Sequence, residues 1–203
     1  MLKRLGAEFL GTGMMVSLGC LSIKLEWSSL WISFTFGAAV FIAILLLRNT
    51  SGAHINPAVS IAFYRTGHLE RKALLPYILA QLLGALVGAS MIGQYGYTDF
   101  NVNIGMGIFI EIIITFLLML SIYFIIFKTD DTRIVALWVG SVVAVLAFLF
   151  GSFTGASMNP ARTFGPNIIS GQISSIPIYF VSTIIGAVLA SHCPNLIKKS
   201  SDN

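Results

Sequence analysis

The chain repeats itself. The segment Ser51-Gly-Ala-His-Ile-Asn-Pro-Ala58 returns as Thr154-Gly-Ala-Ser-Met-Asn-Pro-Ala161, which puts Asn56 and Asn159 103 positions apart. Other residues keep the same interval: Glu8 with Glu111, Thr12 with Thr115 and Gly37 with Gly140. Tyr77 and Gly84 return one position early, as Tyr179 and Gly186. Self-similarity over such a distance marks a duplicated structural unit. What each copy contains decides how the two can be arranged.

Each copy holds three apolar stretches long enough to cross a hydrocarbon layer of about 30 Å, which takes roughly 20 helical residues. They run approximately over 5–23, 29–48 and 73–93, then over 105–127, 133–152 and 173–195. Three is an odd number, so the second copy enters the membrane from the opposite face, an inverted-topology pair about a pseudo-two-fold axis. The first stretch follows Lys3 and Arg4 as a signal peptide would. Its Glu8, however, has a repeat partner in Glu111, which makes it part of the fold. Composition agrees, with 56% hydrophobic and 10% charged residues, where a soluble domain carries about a quarter charged. The expectation is one channel domain over 1–203, repeat one covering about 1–93 and repeat two about 105–195.

The basic residues report orientation. With both termini in the cytoplasm, Lys3, Arg4, Arg48, Arg65, Arg71, Lys72, Lys128, Arg133, Lys198 and Lys199 lie inside and Lys24 outside, as the positive-inside bias demands. The 94–104 loop is then extracellular. A net charge of +4 spread over such short caps forms no single patch for nucleic acid. Cys20 and Cys193 fall at opposite membrane faces, too far apart to pair. No His/Cys spacing fits a metal-ligand set, and no cofactor is expected.

Two shorter apolar pieces follow Asn56 and Asn159. At about ten residues and roughly 1.5 Å per residue, each reaches only halfway through a membrane as a helix. Asn is a favoured N-cap and Pro a favoured first helical residue, so Asn56-Pro57-Ala58 and Asn159-Pro160-Ala161 are expected to open two re-entrant half-helices. A helix start at that depth leaves bare N–H groups, tolerated only beside protein or a watery cavity. The inversion brings the two starts together near the midplane. Each start is worth about half a positive charge, so the junction repels cations, protons included. The asparagine amides can donate to a passing oxygen without offering a titratable relay.

In these motifs, and in Ala7-Glu-Phe-Leu-Gly-Thr12, Ser51 to Val59 and Gly155-Ala-Ser-Met-Asn-Pro-Ala-Arg162, the chain resembles the aquaporin, or major intrinsic protein, family along nearly its whole length. The resemblance implies an all-α membrane fold of six transmembrane helices plus two re-entrant half-helices, commonly a homotetramer with one pore per protomer. It implies a passive channel in the plasma or inner membrane for water, and no enzyme. It also implies a selectivity filter of Phe36, Ala147, Ala156 and Arg162, and pore-lining carbonyls from Gly52, Ala53 and His54 and from Gly155, Ala156 and Ser157. Glu8 and Glu111 would brace the re-entrant loops.

Arg162 carries weight by itself, because a charge within a membrane is costly and by default functional; its alternative is a structural ion pair. Fixed donors with positive potential are a known device of such pores. Where strict water channels place histidine, this chain has Ala147, which implies a wider and less polar constriction. Residues 155–166 look most like bacterial relatives of the plant nodulin-26-like group, whose members pass glycerol, urea or neutral metalloid acids. Thr163, in place of the aspartate of dedicated glycerol channels, and the Tyr179-Phe180 pair point toward water channels. Both solute readings stand at this level.

Two other classes compete. Inverted repeats and paired Glu8 and Glu111 would also suit a solute-coupled secondary transporter. Ser157 and His54 at matching depth would suit an intramembrane hydrolase, although no third orienting group is evident. Gly84, Ala85, Gly88 and Ala89, and Gly186, Ala187 and Ala190, are expected at close helix contacts. Phe164 is expected in packing, and His68 and His192 at the interface.

Overall fold

The computed structural model describes residues 1–193; Lys198, Lys199 and the end of the 173–195 stretch lie outside them. The described residues form helices only: α1 Leu2–Lys24, α2 Ser29–Ser51, α3 Pro57–Arg65, α4 Arg71–Ser90, α5 Ile104–Lys128, α6 Thr132–Thr154, α7 Pro160–Ser170 and α8 Ile176–Ala190, the last preceded by a 3₁₀ turn at Ile173–Ser175. Six spans are long and apolar enough to cross a membrane, the sixth being Ile173–Ala190, α8 together with the turn before it. The two short helices have 9 and 11 residues, the expected half-spans.

Packing repeats as the sequence does. α1 lies against α4 as α5 lies against α8, α3 meets α8 as α7 meets α4, and α2 meets its own counterpart α6. Small residues make the close crossings. A Cβ on Gly84 would lie 2.2 Å from the Phe9 carbonyl oxygen, one on Gly88 2.3 Å from that of Gly13, and one on Gly186 2.3 Å from that of Ile112. Helices in lipid associate through such backbone approach rather than through exclusion of water. The outward faces keep leucine, phenylalanine and tryptophan exposed, among them Leu10, Leu46, Leu83 and Phe109, a surface suited to acyl chains.

The helix ends differ from the apolar runs in one instructive way. α2 and α6 continue beyond residues 48 and 152 to Ser51 and Thr154, where Gly52 (φ 92°) and Gly155 (φ 71°) close them in the left-handed conformation. Hydropathy hides the end of α2 because Asn49, Thr50 and Ser51 are polar. α8 stops earlier than expected, at Ala190, three residues before Cys193, whose own helical conformation Pro194 disfavours.

Candidate pore and filter

Asn56 and Asn159 cap α3 and α7 from extended backbone, with φ of −158° and −155°. Asn56 Oδ1 accepts from the Ala58 N–H at 2.8 Å and Asn159 Oδ1 from that of Ala161 at 2.9 Å. Pro57 and Pro160 take the first helical positions. The amides also tie the two helix starts together. Asn56 Nδ2 donates to the Met158 carbonyl at 2.9 Å, and Asn159 Nδ2 to the Ile55 carbonyl at 2.8 Å. An amide has two hydrogens, so each cross-tie engages one; the other on Asn159 faces Met15 Sδ, a weak acceptor at 3.9 Å, and the other on Asn56 is left for another acceptor. The sequence pointed to both amides as donors but not to this mutual tie.

The segments leading into the caps are held in an unusual backbone. Ala53 (φ 48°), Ile55 (φ 45°), Ala156 (φ 42°) and Met158 (φ 53°) are all left-handed, which costs of order 1–3 kcal/mol per non-glycine residue. Glu8 and Glu111 offset this strain. Glu8 Oε1 accepts from Ser51 Oγ at 2.7 Å and the His54 N–H at 3.0 Å, and Oε2 from the Ile55 N–H at 2.7 Å. Glu111 repeats the set with Thr154 Oγ1 at 2.7 Å and the N–H groups of Ser157 and Met158 at 2.9 Å. Both carboxyl side chains are fully buried.

The N–H groups of His54 and Ser157 are held by the glutamates, those of Ala53 and Ala156 by the Ser51 and Thr154 hydroxyls, and those of Gly52 and Gly155 by the Arg48 and Gly151 carbonyls. The carbonyls of these six residues are left over. Among the described hydrogen bonds none ends on them, and all six residues line the central cavity. The tyrosines of the repeat secure the next carbonyls back: Tyr77 Oη donates to Ser51 at 2.8 Å and Tyr179 Oη to Thr154 at 2.5 Å.

That cavity, about 710 Å³, runs from Ser29 and Tyr97 at one face to Arg48, His68 and Asp130 at the other, passing Asn56 and Asn159 between them. Phe36, Ala147, Ala156 and Arg162 all line it. Arg162, 5% exposed, donates through Nη1 to the Gly96 carbonyl at 2.6 Å and lies 4.8 Å from the centre of the Phe36 ring. It forms no ion pair among the described residues; the two found there join Glu70 to Arg4 and Lys72. Phe164 is absent from the lining and stacks near Phe180 at 6.3 Å.

The 94–104 loop does more than connect. It folds inward so that Gly96 receives Arg162, and Thr98, fully buried, binds Thr163 Oγ1 at 2.8 Å and, through its N–H, Asn167 Oδ1 at 2.9 Å. Gly96 needs its glycine twice, for φ 83° and for contact with Cys20, whose Sγ would lie 2.3 Å from an added Cβ. Sequence reasoning missed Gly96, Thr98, Asn167 and Gln81. The two amides left a usable signal, being polar groups within apolar runs.

His54 and Ser157 do not pair as a hydrolase would require. His54 Nδ1 lies 3.0 Å from Ser60 Oγ, while Ser157 Oγ bonds Thr163 and the Asn159 carbonyl. Cys20 and Cys193 are both free. His192 lies beside Arg65, with Nε2 3.1 Å from its guanidinium.

A family model described as Major intrinsic protein matches residues 1–193. Mouse aquaporin-4 is 38% identical over 93% of this chain and 65% of its own length. Rat aquaporin-6 is 37% identical over 96% of the chain and 76% of its length, and maize aquaporin NIP1-1 is 32% identical over 97% and 75%. The chain thus spans about two thirds of the length of the mouse relative. The X-ray structure of the aquaglyceroporin from Plasmodium falciparum superposes with a TM-score of 0.88 at 25% identity, over 96% of this chain and 98% of that one.

Proposed function

We propose, from the premise that this chain belongs to the major intrinsic protein family, that it is a passive transmembrane channel for water and for small uncharged solutes of the size of glycerol, urea or neutral metalloid acids. The observation that carries this reading is the cavity bordered by Asn56 and Asn159 and continuous between the two faces of the helix bundle. Two half-helices start there, both with N-termini toward the midplane. Their dipoles oppose a cation, while carbonyls on either side and the remaining amide hydrogens replace the hydrogen bonds a neutral solute leaves in water.

Phe36, Ala147, Ala156 and Arg162 form the filter in this reading. Arg162 is fixed by Gly96 and adds positive potential; Ala147 and Ala156 leave the opposite wall wide and apolar. The width favours solutes larger than water, and the aquaglyceroporin likeness supports that side. Glu8 and Glu111 are loop braces rather than ion carriers, since each is fully buried and engaged by the strained segments. Residues 1–93 and 105–195 are the two inverted copies of a single channel domain. The distribution of basic residues supports cytoplasmic termini, and in this reading the channel lies in a plasma or inner membrane as a homotetramer with one pore per protomer.

Stopped-flow scattering on proteoliposomes tests the solute range. Uptake of glycerol and urea well above that of bare vesicles is expected beside fast water flux. Water flux with solute uptake at the bare-vesicle rate would reduce the reading to a water channel.

A further inference from the structure

Glycine in the middle of a helix is unfavourable relative to alanine, so Gly19, buried in α1, calls for a reason. A Cβ at this position would lie 2.1 Å from Cε1, 2.3 Å from Cζ and 2.6 Å from Cδ1 of Phe36. The Phe36 ring therefore occupies the space a side chain on α1 would fill. Its other side faces the cavity and Arg162.

The repeat offers an internal comparison. The positions matching Gly19 and Phe36 in the second copy are Ile122 and Val139, two medium side chains that both line the cavity toward the other face. On the Arg162 side the same pair is divided into nothing and a large ring. Resting on the filter reading above, we propose that Gly19 is a specificity-determining residue: its missing side chain sets how far the Phe36 ring lies back from the pore, and so the aperture opposite Ala147.

An added methyl at position 19 meets ring atoms rather than the end of a flexible chain. The ring is rigid and turns only about two bonds. The direction left to it is away from α1, toward Arg162 and the cavity. Gly19→Ala thus narrows the filter by pushing on Phe36 from behind, while position 19 itself does not line the cavity.

The test is a double-mutant cycle in proteoliposomes, reading water, urea and glycerol permeability for the unaltered protein, Gly19→Ala, Phe36→Ala and the double variant, with melting temperature measured on each. Gly19→Ala is expected to lower the flux of the largest solute the unaltered channel passes more than that of any smaller one, and water itself if nothing larger passes. In the Phe36→Ala background the same change should have no effect on flux and should not lower melting, because the ring it displaces is gone and alanine suits a helix better than glycine. Should Gly19→Ala alone fail to fold, restored folding in the double variant would show the same coupling. Equal losses with and without the ring, or unchanged selectivity in Gly19→Ala, would overturn the proposal. Phe36→Ala that leaves selectivity unchanged would instead overturn the filter reading itself.

Discussion

Gly37 and Gly140 face each other where α2 crosses α6: a Cβ on Gly37 would lie 2.5 Å from the Gly140 carbonyl oxygen, and one on Gly140 2.7 Å from that of Gly37. These are repeat-equivalent residues, so the contact marks the pseudo-two-fold axis itself. α2 supplies Phe36 and α6 supplies Ala147, which ties the spacing at the axis to the width of the cavity.

Alanine at either glycine must therefore push the two helices apart. Overpacking of this kind costs about 1–3 kcal/mol. We expect Gly37→Ala and Gly140→Ala each to lower the melting temperature in detergent by similar amounts, read by tryptophan fluorescence, while alanine at Gly151, a helix position where an added Cβ meets nothing within 4 Å, does not lower it.

Glu8 and Glu111 look equivalent in sequence and are not equivalent in structure. Glu8 Oε2 also accepts from Gln81 Nε2 at 2.8 Å, and Gln81 Oε1 is buried without a partner. After Glu8→Gln, a flip of the Gln81 amide restores a bond to the new side-chain amide at the cost of the present Gln81 Nε2 donation to Ser60 Oγ at 2.9 Å, and the Ile55 N–H loses its acceptor. Glu111 has no such neighbour, because the matching position is Thr183, whose hydroxyl donates to Tyr179. A buried unsatisfied polar group costs about 1–3 kcal/mol. Glu111→Gln should thus destabilise the protein more than Glu8→Gln, and leucine at either position should prevent folding; melting curves and reconstituted flux check both.

Much of this was legible in one dimension. A fixed interval of 103 residues, an odd number of spans and an Asn-Pro cap are all features of spacing, and they lead to the inverted fold and the half-helices; the bracing role of Glu8 and Glu111 came from the family resemblance. The residues behind the site were not legible. Gly96 reaches Arg162, and Thr98 reaches Asn167, across 66 and 69 positions, in a loop whose composition resembles any other loop. The cross-tie between Asn56 and Asn159 was hidden for the same reason: each amide was read as free because its partner carbonyl belongs to the other copy.

The Gly96 contact makes a prediction of its own. A hydrogen bond from a charged donor is worth about 1.5–3 kcal/mol, and Gly96→Ala moves its acceptor, both by straining φ 83° and by contact with Cys20. The expected result is a lower water permeability with the guanidinium displaced. Arg162→Val removes the charge altogether and should admit charged species and solutes larger than glycerol, measured as sodium leak and uptake of a larger polyol; unchanged exclusion in Arg162→Val would refute the role given to it.

Ala147 is the position at which the filter is open. Histidine there adds bulk and a polar group opposite Phe36, so Ala147→His should retain water flux and bring glycerol uptake down to the bare-vesicle rate. Retained glycerol uptake would show that the constriction lies elsewhere along the cavity.

The central claim is a fixed pore that passes neutral molecules and holds back protons. Its most direct test is osmotic shrinkage of proteoliposomes loaded with a pH-sensitive dye, followed as the osmotic gradient is raised and again with a proton gradient imposed. The account predicts a shrinkage rate that rises in proportion to the osmotic gradient, ignores the proton gradient and leaves the dye signal at that of bare vesicles. Saturating flux, or an internal pH that moves with the solute, would contradict it and return Glu8 and Glu111 to the role of coupling carboxylates in a transporter.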